Sequence, residues 1–286
     1  INVQIYMRDR EEGEALIADA FAEAARIERI MEPQKPGGDV YRLNTENTGG
    51  WFVVSPELAD VTAASMKYYR LSDEAFDPTI APVKWLWDFE GDGHVPGKKE
   101  IEEHLPLVGM EKIELSGDSV RVADTRVKLD FGGVAKGYIV DRMMDVLREG
   151  GAAAILVNAG GDISFEGRKP NDEDWVIGLR HPRRSRTYII DSNPFNCVAT
   201  SGDYERFFVE DGVRYHHILD PTTGYPARNC VSVTVWTTTA MEADLLSTAI
   251  FVLGPDKGIA LAEEPDLVEA LVFYIEDDTV KPAMSS

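Results

Sequence analysis

The chain has 286 residues, of which 44% are hydrophobic and 28% charged, so it can form a sizeable core in one large domain or two closely joined halves. Fifty acidic residues against 29 basic ones give a formal net charge of −21, which argues against a nucleic-acid-binding protein. No apolar run reaches the roughly 18 residues of a membrane-spanning helix. The longest basic run, 180–186, is interpreted as a solvated loop, with an anion contact as the alternative.

The first residue of the chain and the number of cysteines give two further indications. The chain begins at Ile1, without an initiator Met and without a signal peptide, which is typical of a mature or trimmed product. Cys197 and Cys230 are the only cysteines. They are too few for a zinc site of their own, and a disulfide or two buried free thiols both fit the sequence.

The first part of the chain is predicted to contain long helices separated by turns. Periodic apolar residues and helix-start signals predict helices at 11–30, 56–71 and 95–105, after a first strand at 2–6. Ser55 is a suitable N-cap for the second helix. A hairpin is predicted over 112–122, and the aromatic residues of 84–89 are interpreted as core or as the wall of a pocket.

The stretch at 129–141, LDFGGVAKGYIVD, combines a strand, a glycine turn and a helix start. Apolar residues alternate over 127–131, which predicts a strand, and helical spacing begins at Val134. Gly132 and Gly133 allow the backbone to approach a ligand closely. Free N–H groups at the helix start, together with Lys136, predict a phosphate site. A plain strand-to-helix connection explains the same pattern, and the loop is neither a Walker A loop nor a dinucleotide fingerprint.

The second part of the chain is predicted to be a meander of strands with interspersed helices. Strands are predicted at 153–157, 175–179, 187–190, 231–237 and 268–274, the last being the final strand, with a hairpin around Asp211-Gly212 and helices at 241–253 and 256–263. This order favours an α+β fold over a regular βαβ array. Because no linker is evident, we predict one domain over 1–286.

Two polar stretches in this part are candidates for chemistry. In YHHILDPTTGYP (215–226), His217 and Asp220 fit a general base and the residue that orients it. A histidine pair at a strand edge, with Asp220 capping the turn, fits the same stretch and is the more common arrangement. The sequence of this stretch alone favours that second interpretation.

The other stretch lies in the predicted helix at 241–253. Asp244 and Thr248 are four residues apart and therefore share one helix face. Their oxygen atoms suit a hard cation such as Mg²⁺, with water and substrate phosphate as further ligands. A solvated polar face is the alternative. The apolar residues around them indicate a buried helix, however, and a buried carboxylate needs a partner, which favours the metal site.

Seven motifs in the same order and at the same distances resemble the FAD:protein FMN transferase (ApbE) family. They are DVYRLN (39–44), EAFDPTIAPVKWLW (74–87), LDFGGVAKGYIVD (129–141), VNAGGDI (157–163), ATSGDYER (199–206), YHHILDPTTGYP (215–226) and EADLLSTAIFVLG (242–254). The resemblance implies a T-fold-related, ApbE-like α+β fold, with mixed sheets, packed helices and an active site in a cleft between two halves.

The resemblance also implies the chemistry. FAD binds with Mg²⁺, a Thr or Ser hydroxyl of a target flavoprotein attacks the FMN phosphorus, and AMP leaves. Metal ligands are implied at Gly133 (through its carbonyl), Asp244 and Thr248, and the general base at His217. Contacts to the flavin nucleotide are implied at Ala75, Phe76, Asp77, Lys136 and Ile139, with 200–203 lining the same cleft.

Alternatives within this resemblance concern the acceptor and the place of action. An FAD pyrophosphatase that yields FMN and AMP would share the metal and phosphate sites, and a flavin-binding protein without turnover is the third possibility. The resemblance implies an acceptor such as a subunit of an Na⁺-translocating NADH:quinone reductase or a related complex. It also implies a lipid-anchored protein on the periplasmic side of the bacterial inner membrane, although a cytoplasmic member would show the same residues.

Overall fold

A computed structural model describes residues 1–185, 187–190, 195–264 and 268–285. The helices are α1 (Arg10–Met31), α2 (Asp39–Glu46), α3 (Pro56–Leu71), α4 (Ala81–Lys84), α5 (Lys98–His104), α6 (Ala135–Glu149), α7 (Ala240–Leu253) and α8 (Pro255–Ala262). The strands are β1 (Asn2–Tyr6), β2 (Trp51–Val53), β3 (Ile113–Ser116), β4 (Ser119–Val122), β5 (Ala154–Ala159), β6 (Asp162–Glu166), β7 (Ile177–Arg180), β8 (Thr187–Ile190), β9 (Cys197–Gly202), β10 (Phe207–Glu210), β11 (Val213–His216), β12 (Cys230–Thr237), β13 (Glu269–Glu276) and β14 (Thr279–Met284). Within these residues, no helix is long and apolar enough to cross a membrane.

The largest sheet has seven strands in the order β1-β5-β6-β9-β12-β13-β14, and neighbouring strands run antiparallel. Strand β12 is buried at every position, as expected for a strand covered on both faces. Helix α7 packs on β9 and β12, α6 packs on α7, and α1 packs on α6. This combination of packed helices and several sheets confirms the α+β prediction, whereas the prediction of a single domain stays a prediction.

Smaller sheets surround this main layer. Strands β2, β4 and β3 form a three-stranded sheet, and β7–β8 and β10–β11 form two hairpins. The predicted helices at 11–30, 56–71 and 241–253 are confirmed by α1, α3 and α7. In α3, the Ser55 hydroxyl accepts a hydrogen bond from the Leu58 N–H, so it caps the helix as the sequence indicated.

The prediction of a strand at 127–131 is wrong. The burial alternates as expected, since Val127, Leu129 and Phe131 are all at most 2% exposed. The backbone of this segment, however, forms hydrogen bonds with a side chain and not with a neighbouring strand. Leu129 N donates to Asn44 Oδ1 at 2.8 Å, and Asn44 Nδ2 donates to Leu129 O at 2.9 Å. Apolar residues at every second position indicate which side chains are buried. They do not indicate whether a neighbouring strand is present.

The chain also has a strand beyond the predicted final one. Strand β13 turns at Asp277-Asp278 and returns as β14. Both aspartates have positive φ, 49° and 56°, in a two-residue connection where Asn-Gly is the usual sequence signal. Two acidic residues gave no such signal, so the hairpin was missed.

Two compositional predictions have clear outcomes. Cys197 and Cys230 are both buried and free, in agreement with the interpretation as two buried thiols. The basic run follows β7, and Arg183 pairs with the buried Asp203 through both guanidinium nitrogens, so its anion contact is a carboxylate of the chain itself. Arg186, at the end of that run, lies outside the described residues.

The crossing of α6 and α7 leaves no room for a side chain at Gly137. A Cβ there would lie 2.2 Å from the carbonyl oxygen of Ala240. Four residues later, the Asp141 carboxylate accepts hydrogen bonds from Ala240 N at 2.8 Å and Met241 N at 2.9 Å. These two N–H groups belong to the first turn of α7 and would otherwise lack partners. The start of α7 is therefore fixed against the side of α6.

We expect Gly137→Ala to reduce the free energy of unfolding by about 1–3 kcal/mol, because the two helices must separate to admit the methyl group. Gly50→Ala is the matched control, since its nearest neighbour would be Thr48 Oγ1 at 3.8 Å, and we expect a change within about 0.5 kcal/mol. Urea denaturation measures both. Equal stability of the two variants would contradict this description of the helix crossing.

Candidate active site

The glycine turn lies directly against α7. A Cβ at Gly133 would lie 3.3 Å from Thr248 Oγ1 and 3.2 Å from Phe76 Cε2. A side chain at this position would be crowded against both groups, and glycine avoids that crowding. Three residues predicted from separate stretches, Gly133, Thr248 and Phe76, are thus brought together, while their roles stay predictions.

Asp244 is held at the centre of this arrangement. It is 3% exposed, and each of its carboxylate oxygens has a partner. Oδ1 is 3.3 Å from Lys136 Nζ, and Oδ2 accepts a hydrogen bond from Gly137 N at 3.1 Å. Both partners belong to the first turn of α6, where the free N–H groups and the helix dipole favour negative charge. The buried carboxylate expected from the sequence is therefore satisfied by the helix that follows the glycine turn.

Lys136 contacts a second buried carboxylate that the sequence did not indicate. Its Nζ is 2.5 Å from Oδ2 of Asp162, which begins β6 and is 1% exposed. The only sequence signal was an acidic residue directly after the turn at 158–161. Burial and the negative charge of Asp244 raise the pKa of Asp162 to about 7, although the charge of Lys136 opposes them.

Asp244 and Asp162 stabilise the charged form of Lys136. Burial alone would lower its pKa, but the charges of Asp244 and Asp162 outweigh burial and raise it. Lys136 is therefore a permanent cation at physiological pH. One cation between two carboxylates leaves the cluster with a surplus of negative charge when both acids are ionised, and this surplus favours a further cation.

Oxygen donors dominate the surface between the glycine turn and α7. Ser201 Oγ, at the end of β9, is 3.3 Å from Thr248 Oγ1 and 2.8 Å from Ser247 Oγ. The sequence had indicated 200–203 as part of the cleft without singling out Ser201. Its neighbour Thr200 points elsewhere and bonds to Thr234 at 2.9 Å.

This donor set fits Mg²⁺ better than a softer metal. The available groups are the carboxylate of Asp244, the hydroxyls of Thr248 and Ser201, and the backbone carbonyl of Gly133, all of them hard oxygen ligands. In the described part of the chain, no group of three or more His, Cys, Asp or Glu residues could hold a metal ion. The protein thus offers a partial ligand shell, as is usual where Mg²⁺ retains water and binds substrate phosphates.

His217 follows β11 and is oriented by the backbone of Arg206. The carbonyl oxygen of Arg206 accepts a hydrogen bond from His217 N at 3.1 Å and lies 3.2 Å from Nδ1. A carbonyl can only accept, so Nδ1 carries the proton and Nε2 has the free lone pair. The ring is half-buried, and this burial together with the positive charges of Lys84 and Arg206 lowers the pKa of His217 to about 3. The ring is therefore neutral at physiological pH, the form that a general base requires.

Asp220 does not orient His217. Its Oδ1 accepts hydrogen bonds from the N–H of Thr222 at 2.8 Å and from the Thr222 hydroxyl at 2.7 Å. Asp220 thus caps the turn, and the interpretation as a base and its orienting acid is wrong. The neighbouring His216 is 2% exposed, and its Nε2 donates a hydrogen bond to the carbonyl of Ala227 at 2.8 Å. This bond connects the end of β11 to the residue that follows the turn at 220–226.

The remaining predicted nucleotide contacts lie around Phe76 and along α6. Asp77 Oδ1 accepts hydrogen bonds from the N–H of Thr79 at 2.8 Å and from its hydroxyl at 2.5 Å, and burial raises the pKa of Asp77 to about 6. A small cleft of about 160 Å³ opens beside Asp77, bordered by Tyr69, Glu111 and Thr222 among others. Ala75 is buried next to Phe76, and Ile139 packs into the core one turn after Lys136.

Comparisons with known proteins place this arrangement in a family. The sequence profile of the ApbE family matches residues 1–272. The chain belongs to the ApbE family. Among its relatives are two proteins named FAD:protein FMN transferase. The one from Vibrio cholerae is 31% identical over 284 residues, which cover 94% of this chain and 85% of that protein. The one from Klebsiella pneumoniae is 33% identical over 277 residues, which cover 95% and 84%.

Solved structures of ApbE proteins have the same fold. The apo form of the Pseudomonas stutzeri flavinyl transferase ApbE superposes with a TM-score of 0.88 at 32% identity, over 99% of this chain and 90% of that one. The flavin transferase ApbE from Vibrio cholerae superposes with a TM-score of 0.90 at 29% identity, over 100% and 93%. The ApbE-like fold implied by the sequence motifs is thereby confirmed.

The protonation state of His217 can be tested by NMR of the ¹⁵N-labelled protein. We expect the ring to stay neutral, with the proton on Nδ1, from pH 8 to pH 5, because its pKa lies near 3. In urea the same ring should titrate near pH 6.5. Since the unfolded chain takes up this proton first, the contribution of His217 to stability falls as the pH decreases from about 6.5 towards 3. A folded-state midpoint near pH 6.5 would contradict the lowered pKa and the environment of the ring that causes it.

Proposed function

We propose that this chain is an FAD:protein FMN transferase, which moves FMN from FAD onto a Thr or Ser hydroxyl of an acceptor flavoprotein and releases AMP. The observation that carries the proposal is the contact of the glycine turn with α7, which brings Gly133, Lys136, Asp244 and Thr248 to one place. The curated relatives from Vibrio cholerae and Klebsiella pneumoniae carry the name of this activity.

Mg²⁺ is the metal that the donor set supports. Asp244, Thr248 and the carbonyl of Gly133 would hold it, with the Ser201 hydroxyl adjacent to Thr248. When bound, the ion supplies positive charge that offsets the charge of the FAD diphosphate. Lys136 adds a fixed cation beside Asp244, and the N–H groups at the start of α6 add partial positive charge. These groups bind and orient the diphosphate, which is most of what phosphoryl transfer requires of a protein.

His217 supplies the proton transfer. Nε2 accepts the proton of the acceptor hydroxyl, and the hydroxyl oxygen attacks the FMN phosphorus. The bond between that phosphorus and the oxygen shared with AMP breaks, and AMP leaves with the electron pair. The carbonyl of Arg206 keeps the Nδ1 proton in place, so that the ring presents its basic nitrogen throughout.

The proposals for the acceptor and the location are supported by the resemblance of the sequence motifs. We propose as acceptor a subunit of an Na⁺-translocating NADH:quinone reductase or of a related electron-transport complex. We further propose that the protein works on the periplasmic side of the bacterial inner membrane, attached by a lipid anchor. The residues that mark a protein as an acceptor lie in the acceptor's own sequence. Purified candidate subunits are therefore needed to test this proposal.

The activity is tested by incubating the protein with FAD, Mg²⁺ and a candidate acceptor, then measuring released AMP and the intact mass of the acceptor. We expect one FMN added per acceptor and an equal amount of AMP, both abolished by EDTA and restored by Mg²⁺. His217→Gln should lower the rate about 10²–10⁴-fold, because the general base is lost. His94→Gln, at an exposed histidine, is the matched control and should keep the native rate.

Three other outcomes are informative. AMP and free FMN without a labelled acceptor would favour the FAD pyrophosphatase. FAD that binds but releases no AMP with any acceptor would leave a flavin-binding protein and refute both enzymes. Equal rates for His217→Gln and His94→Gln would remove His217 from the mechanism.

A further inference from the structure

A second lysine lies beside the glycine turn. Lys84 ends α4, and its Nζ is 2.6 Å from Oδ2 of Asp130. The other carboxylate oxygen of Asp130 accepts a hydrogen bond from Gly132 N at 2.8 Å. A Cβ at Gly132 would lie 3.5 Å from Lys84 Nζ. The ammonium group therefore stands next to Gly132, whereas the hydroxyl of Thr248 stands next to Gly133.

The charge of the same ammonium group also acts on the proposed general base. Burial is the largest cause of the low pKa of His217, and the positive charges of Lys84 and Arg206, together with His216, lower it as well. Lys84 thus stands at the glycine turn and influences the imidazole through its charge.

The ion pair with Asp130 leaves Lys84 able to bind an anion. An ammonium has three N–H donors, and in the described part of the chain Asp130 is its one hydrogen-bond acceptor. Lys136, by comparison, is shared between two buried carboxylates. The side chain of Lys84 is 21% exposed and that of Asp130 10% exposed, so the pair is shielded from solvent but still partly accessible.

We propose that Lys84 is a further catalytic residue, which donates a hydrogen bond to a non-bridging oxygen of the FAD diphosphate at Gly132. Asp130 is its positioning residue, because it holds the ammonium at Gly132. This inference rests on the proposed function. The diphosphate then contacts two lysines, Lys136 beside Asp244 and Lys84 at Gly132, and charge-assisted contacts of this kind stabilise phosphoryl transfer.

ADP is the probe for this contact, because it carries the diphosphate and needs no acceptor. In calorimetric titrations with Mg²⁺ present, we expect Lys84→Met to weaken ADP binding about 10- to 100-fold. Lys84→Arg should retain most of the affinity, since it keeps the charge. Lys98→Met, at an exposed lysine of α5, is the matched control and should bind ADP as the native protein does.

A double variant separates phosphate binding from a structural role. Lys84→Met leaves Asp130 without its counter-ion and can lower the melting temperature. Lys84→Met with Asp130→Asn removes both charges and should recover stability, while ADP binding stays weak. Recovery of ADP binding in the double variant would make Lys84 a structural counter-ion and overturn the proposal, as would native ADP affinity in Lys84→Met.

The pH profile gives an independent readout. Without Lys84, the pKa of His217 should rise towards its ordinary value, with Arg206 and His216 as the remaining positive influences. The acidic limb of kcat/KM should therefore move to higher pH in Lys84→Met and not in Lys98→Met. A native protein that binds ADP yet releases no AMP from FAD would refute the proposed function alone, since the ADP titrations would still decide the role of Lys84.

Discussion

The buried carboxylate of Asp244 is the constraint on which the site depends. It lies inside α7 among apolar residues, where an unpaired charge would be strongly destabilising. Its partners are Lys136 and the N–H of Gly137, both in the first turn of α6. Satisfying Asp244 therefore fixes the start of α6, and with it the glycine turn, against α7. The absence of side chains at Gly133 and Gly137 makes this approach sterically possible.

The groups of the site have two different tasks. The side towards α7 collects oxygen ligands and Lys136, which suits binding of a divalent cation and phosphate. The ring of His217 is neutral, because burial and neighbouring cations lower its pKa. An acidic neighbour would instead favour the charged form of the ring, in which it could not accept a proton.

The sequence indicated the local parts of the site well, and the long-range pairs poorly. Asp244 and Thr248 lie four residues apart in one helix, so their shared face follows from helix geometry alone. Asp162 joins Lys136 across 26 residues, and Lys84 joins Asp130 across 46. No spacing rule connects such partners, because the fold brings them together. The extended segment at 127–131 shows the same limit, since its burial pattern was readable but its bond to Asn44 was not.

Binding of Mn²⁺, followed by electron paramagnetic resonance, tests the central claim most directly, because Mn²⁺ accepts the same oxygen ligands as Mg²⁺. The account predicts that ADP tightens Mn²⁺ binding to the native protein, since cation and diphosphate share one site and their coupling is reciprocal. It also predicts that Asp244→Asn, which keeps the shape of the side chain, loses this Mn²⁺ binding. Native Mn²⁺ affinity in Asp244→Asn, unchanged by ADP, would contradict a metal site between the glycine turn and α7.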